Sequence, residues 1–243
     1  MRAESIKKLL TETADLLERI KSEKQQASED PKIKTLLEMQ VMYCLGNLRA
    51  GLDYSAHDIF DVLTLAHKER GHVLKTKDVH FPYTDKQVKF RNRVQGNLPR
   101  LEEYRKDLFD LIESIQPFSS NDSWLVDLCE RNNAYKHVNI PGQVRKDNTD
   151  VYMPGAIFKN CDTIIASGNR FNGVLLPEIR IENGRSVIDP ESYPSYITLV
   201  SSTEFMFEGT NIEIVGLLEK CLNNVSHFTN QLYSLIDNKA FPN

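Results

Sequence analysis

Residues 37–66 read LEMQVMYCLGNLRAGLDYSAHDIFDVLTLA. Leu37, Val41, Cys44, Leu45, Leu48, Leu52, Ala56, Ile59, Leu63 and Ala66 recur three and four apart, the spacing of one helix face. The stripe predicts a long helix from about Lys32 to Glu69, closed by Gly71, with one side turned to a helical core.

The flanks extend this reading. Ile6, Leu9, Leu10, Ala14, Leu16, Leu17 and Ile20 predict a helix over Ser5–Gln26, and Asp30-Pro31 is suited to open the next one. After Phe81-Pro82-Tyr83, Thr84 is expected to cap a helix reaching Val94, with Asp85 in its first turn. Leu98 to Ile115 is helical again until Gln116-Pro117-Phe118. Asn121 or Asp122 then caps a helix through Trp124, Leu125, Leu128 and Cys129 towards His137, stopped by Pro141-Gly142.

Past residue 145 the pattern turns β-prone. Val151–Phe158, Thr163–Ala166, Gly173–Arg180, Ser186–Ile188, Ile197–Leu199 and Thr203–Glu208 read as strands, with turn signals at Asn172-Gly173, Asn183-Gly184 and Asp189-Pro190. Glu178 to Val187 is the best hairpin candidate. A last amphipathic helix, about Asn211 to Ile236, is expected to pack back on the first helices. The fold class is therefore α+β, in three segments: 1–144 helical, 145–210 a small antiparallel β-rich insertion, and 211–243 the closing helix.

With 243 residues, 40% hydrophobic, 26% charged, 11 Gly and 10 Pro, a collagen-like or wholly disordered chain is excluded and a sizeable core is affordable. Every apolar run is shorter than a membrane span needs. The first eight residues alternate charged and apolar side chains where a leader has an apolar core, so a cytoplasmic chain without a membrane partner is expected. Cys44, Cys129, Cys161 and Cys221 lie far apart and read as small, mostly buried thiols. The six histidines lack metal-ligand spacings, so neither a metal nor another cofactor is expected. The net charge of −4 lies entirely in residues 151–243; residues 1–150 carry 24 basic and 24 acidic side chains. Within residues 68–106 there are 11 basic and 5 acidic residues, either an electrostatic track for a phosphate backbone or a solvated face.

Two constellations could carry chemistry. Arg131-Asn132-Asn133-Ala134-Tyr135-Lys136-His137 joins a guanidinium suited to phosphate with an imidazole able to move a proton near neutral pH. Together they could cleave RNA without a metal, the imidazole serving the 2′-OH or the leaving oxygen and the guanidinium the charge growing on phosphorus. On one unbroken helix the two positions lie about 120° apart, so one face cannot hold both unless the helix ends between them or a second chain contributes. The alternative is a set of contacts to the last carbonyls of the helix. On the long helix, Arg49, Asp53 and His57 form a polar ribbon at i, i+4 and i+8. Asp53 would pair with Arg49 and orient His57, or the pair is an ordinary intrahelical one.

Asn47-Leu48-Arg49-Ala50-Gly51-Leu52-Asp53-Tyr54, then Phe81-Pro82-Tyr83, Ile115-Gln116-Pro117-Phe118 and Asn133-Ala134-Tyr135-Lys136-His137 occur in that order. This order resembles a group of uncharacterised bacterial and phage-associated proteins that looks like part of the HEPN superfamily. The resemblance covers roughly residues 40–140. It implies a HEPN-like helical bundle, a homodimer, and in active members a metal-independent endoribonuclease of toxin or phage-defence type. Arg131 and His137 would then be catalytic, Asn132, Asn133 and Lys136 would position RNA, and Arg49, Asp53 and His57 would support them. A neutralising protein partner belongs to the same picture. Other HEPN relatives are inactive binding or assembly modules, in which Asn133, Lys136 and His137 would tie the helix end to Arg49 and Asp53. A third reading is a binder of a small nucleotide or signalling ligand.

Overall fold

The stripe at 37–66 becomes helix α2 (Glu38–Glu69), and Val41, Cys44, Leu45, Leu48, Leu52, Ala56, Ile59 and Leu63 are all fully buried. Each large aliphatic among them contributes about 1.5–3 kcal/mol by leaving water. The structure is a computed structural model. It describes residues 1–69, 71, 74, 79–137 and 142–237, with the backbone alone at Lys136 and His137. It divides into two compact units, each taken here by itself: Met1–Arg19, Glu38–Pro141 and Val215–Asn243 in the first, Ile20–Leu37 and Gly142–Ile214 in the second.

The first unit holds the start of α1 (Ala3–Glu29), then α2, α3 (Gln87–Asn97), α4 (Leu101–Tyr104), α5 (Lys106–Ser114), α6 (Pro117–Ser120), α7 (Trp124–His137) and most of α8 (Ile214–Asp237). The closing helix does meet the others. Phe228 packs edge-on against Phe81 with centroids 5.2 Å apart, and Tyr233 donates its hydroxyl to the fully buried Asp58 carboxylate, which also accepts from the Arg2 backbone N–H and guanidinium. Two expectations fail locally. Thr84 is no helix cap: its Oγ1 accepts from Lys86 N–H and α3 begins only at Gln87. The helix read over Leu98–Ile115 is interrupted at Arg105 (φ −143°), whose buried guanidinium bonds Asp107 and the Leu235 carbonyl.

The second unit holds β1 (Gln143–Met153), β2 (Ala156–Cys161), β3 (Ile164–Ala166), β4 (Arg170–Phe171), β5 (Val174–Leu175), β6 (Ile179–Glu182), β7 (Arg185–Ser186) and β8 (Thr198–Phe207). Antiparallel pairing gives one sheet ordered β2-β1-β8, another ordered β3-β6-β7, and the β4-β5 hairpin. The run 151–158 is thus two strands rather than one, folded at Pro154-Gly155 with Gly155 at φ +81°. Conversely, the runs at 197–199 and 203–208 are one strand. The 178–187 hairpin forms as expected, with Asn183 and Gly184 both at positive φ, as a type I′ turn requires. Val151, Met153, Ala166, Leu176, Ile179, Ile181 and Ile197 are its core.

Residues 20–37, read from the sequence as part of the helical segment, belong to this β unit. Gln143 and Arg145 of β1 cause this. The Gln143 side chain pairs with the Leu36 backbone, and the Arg145 guanidinium donates to the carbonyls of Ala27, Asp30 and Ile33. α2 consequently starts at Glu38, and Asp30 accepts from Lys32 N–H in a turn instead of opening a helix. Among the described residues no helix is long and apolar enough to cross a membrane.

Candidate functional site

Arg49 and Asp53 sit one turn apart on α2 and pair through two hydrogen bonds, Nε to Oδ2 at 3.1 Å and Nη2 to Oδ1 at 2.8 Å. This is no ordinary surface pair, because Arg49 is only 8% exposed. Its Nη1 donates to Cys129 Sγ on α7 and its Nη2 to the Phe81 carbonyl, while Asp53 Oδ1 accepts from Phe81 N–H at 2.8 Å. Both backbone groups of Phe81 are therefore held by one ion pair.

The following residues are gripped in turn. Gln116, fully buried before Pro117, donates to the Pro82 carbonyl and accepts from Thr84 N–H. Asn133 of α7 donates to the Tyr83 hydroxyl at 3.1 Å. Arg93 of α3 donates to the Tyr83 carbonyl, and the Arg49 and Arg93 guanidiniums stand 5.2 and 5.4 Å from the Tyr83 ring centroid. Of the four motif segments quoted from the sequence, the other three thus converge on the one at Phe81-Pro82-Tyr83 and on Thr84 after it.

Burial works against the Arg49 charge, yet Cys129 and Asp53 hold the guanidinium above its ordinary value. Burial pushes the Cys129 thiol up to about 11 although Arg49 pulls the other way. Near neutral pH the thiol stays protonated, so Asp53 supplies the counter-charge and Cys129 accepts as a neutral sulfur.

Above the pair lies a cleft of about 460 Å³, lined by His80, Tyr83, Arg93, Asn97, Asn132 and Asn133 together with Arg49 and Asp53. Asn132 is 3% exposed, and its Nδ2 has no hydrogen-bond partner among the described residues. No protein-family model, curated protein or solved structure matches the chain.

Of the residues picked out by sequence, Arg49, Asp53, Asn132 and Asn133 meet at this cleft. His57 does not: Asp53 is engaged by Arg49 and Phe81 N–H, and no bond to His57 forms. Arg131 does not line the cleft either. Its Nε is buried with no partner among the described residues, and its charge bears on Tyr135, whose hydroxyl burial pushes up to about 12. The helix does not end between Arg131 and His137, so on one chain the two positions keep the separation of about 120°. The side chains of Lys136 and His137 lie outside the described residues.

Four of the eleven basic residues of 68–106 are paired with carboxylates, through Arg91–Glu102, Arg100–Glu103, Arg105–Asp107 and Lys106–Asp110. Sequence reading did not select Arg93, His80, Asn97 or Cys129 for the site. Arg93 stood in the basic run as one cation among eleven, and nothing local marks which of them turns to a cleft. Among the described residues no group of three His, Cys, Asp or Glu side chains is placed to hold a metal ion.

Proposed function

We propose that this chain is a HEPN-like interaction module without catalytic activity, working in the cytoplasm, whose motif residues hold segment 81–84 as one wall of a binding cleft. The observation that carries this is the use made of the motifs. Arg49, Asp53, Gln116 and Asn133 are engaged with the backbone and side chains of residues 81–84, so their presence needs no reaction to explain it. A bracing guanidinium with four of its five N–H groups engaged has little to offer a transition state.

A second reading is favoured by one observation, the buried Arg131 Nε without a partner among the described residues. It is a homodimeric, metal-independent endoribonuclease in which Arg131 of one copy meets His137 of the other over RNA, with a neutralising protein partner. The separation on α7 makes the second copy a requirement of that reading.

An EDTA-treated cleavage assay on total RNA and tRNA separates them, run on wild type, Arg131→Ala and His137→Ala with melting curves on all three. The module predicts no cleavage by any of them. Cleavage by wild type, lost in both variants at unchanged melting temperature, would overturn the module and establish the ribonuclease.

A further inference from the structure

We propose that the cleft above the Arg49–Asp53 pair binds the phosphate group of a small ligand, with Asn132 and Arg93 as its principal donors. The inference rests on the reading of the chain as a binding module and names what the module binds.

The cleft offers donors in excess. Asn132 keeps an NH2 group almost wholly buried and unpartnered among the described residues. Leaving such a group unpaired costs stability, and among the buried polar atoms without a partner in the described residues this one belongs to a side chain that lines the cleft beside Arg93. Arg93 spends one N–H on the Tyr83 carbonyl and pairs with no carboxylate among the described residues, so most of its fork remains for an oxyanion. The His80 ring stands at the rim, exposed, and makes no bond among the described residues. Asp53 is the single acid of the lining, and its charge is already met by Arg49 and by Phe81 N–H. With two guanidiniums against one carboxylate, the lining favours an anion.

Phosphate fits better than a carboxylate because it carries more charge and has oxygens enough to meet donors arriving separately from α3 and α7. The Tyr83 ring already has two guanidiniums against it, which argues against recognition by ring stacking. A volume of about 460 Å³ suits a ligand of small organic-phosphate size.

The test follows the Asn132 side-chain amide signal of ¹⁵N-labelled full chain, identified by its loss in Asn132→Leu, during titration with inorganic phosphate. Acetate and chloride at matched ionic strength are run beside it, and RNA cleavage is scored on the same samples. A saturable shift with phosphate alone is expected, with affinity at least tenfold lower in Arg93→Gln and partly restored in Arg93→Lys. Arg93 is exposed, so these variants should keep the wild-type melting temperature. An equal or larger response to acetate, or no saturable response, would overturn the phosphate site. A phosphate response accompanied by RNA cleavage keeps the site and removes the module; no response and no cleavage removes the site and keeps the module.

Discussion

Each unit of the molecule is organised around a buried arginine beside an aspartate, and the two are used differently. In the β unit, Arg145 donates to Asp147 and to the carbonyls of Ala27, Asp30 and Ile33, and Asp147 is bonded in addition by Arg185 and Thr203. Its partners are mostly backbone, drawn from a segment more than a hundred residues earlier. In the helical unit, Arg49 likewise joins Asp53, a carbonyl and a thiol, but the pair lies beneath an open cleft in which the neighbouring Asn132 amide has no partner among the described residues. Each neighbourhood keeps one buried polar atom without a partner among the described residues, Asn148 Oδ1 beside Asp147 and Asn132 Nδ2 beside the Arg49 pair. What sets the second apart is that Asn132 lines a cleft together with Arg93, where a ligand has room to enter.

The largest effects should come from breaking the arrangement in the β unit. Arg145→Ala takes the guanidinium from the carbonyls of Ala27, Asp30 and Ile33 and from Asp147, and urea denaturation should show a loss of about 3 kcal/mol. Gly184→Ala attacks the same hub from the turn. A Cβ there would lie 1.8 Å from the Asp147 carbonyl oxygen at φ +73°, so the 179–186 hairpin must shift, at a cost of about 3 kcal/mol. A loss under about 1 kcal/mol for Arg145→Ala would mean that residues 20–37 are not held through Arg145, and one under about 1 kcal/mol for Gly184→Ala that the turn does not press on Asp147.

Smaller effects belong to the helical unit. Arg49→Met removes the charge-assisted bonds to Asp53 and the tie to Phe81, and should cost about 2 kcal/mol. Asn133→Ala, which loses one exposed bond to Tyr83, should cost about 0.5 kcal/mol. If the order of these two is reversed, the brace runs through Tyr83 and not through Phe81.

Acid sharpens the contrast further. Burial opposes it, but hydrogen bonds from Arg185, Thr203 and Arg145 hold the Asp147 carboxyl below its ordinary value of 3.8. A carboxyl depressed in the folded state takes up protons more readily when unfolded. It therefore adds stability above about pH 4 and loses it as the pH falls through the folded value. Denaturation midpoints should drop below pH 4 in wild type and drop less steeply in Asp147→Asn. Equal slopes would remove Asp147 from the account of the hub.

How far all this could be read in the sequence depends on the range of the interactions. The α2 stripe, the Asn183-Gly184 hairpin and the buried thiols are local patterns, and all three stand in the structure. Thr84 fails as a cap locally, because its hydroxyl accepts from Lys86 N–H before α3 begins, whereas the break at Arg105 in the helix over 98–115 comes with a bond from its guanidinium to the distant Leu235 carbonyl. The motif residues were visible as motifs, but their convergence on 81–84 was not, since spacing along a chain does not say which segments meet. Arg49 reads in the sequence as half of an ordinary intrahelical pair because its Asp53 partner is one turn away, whereas Cys129 and Phe81 are 80 and 32 residues away.

The central claim is that Asn132 is kept for a ligand while its neighbours are kept for the fold. The most direct test is the denaturation midpoint of Asn132→Leu, a near-isosteric change that removes the unpaired amide, measured beside Arg49→Met. The account predicts that Asn132→Leu is as stable as wild type or more so, because replacing an unsatisfied buried amide with an apolar group of similar shape gives up no bond. A loss as large as that of Arg49→Met would show that Asn132 is one more brace, and the account of the cleft would fail.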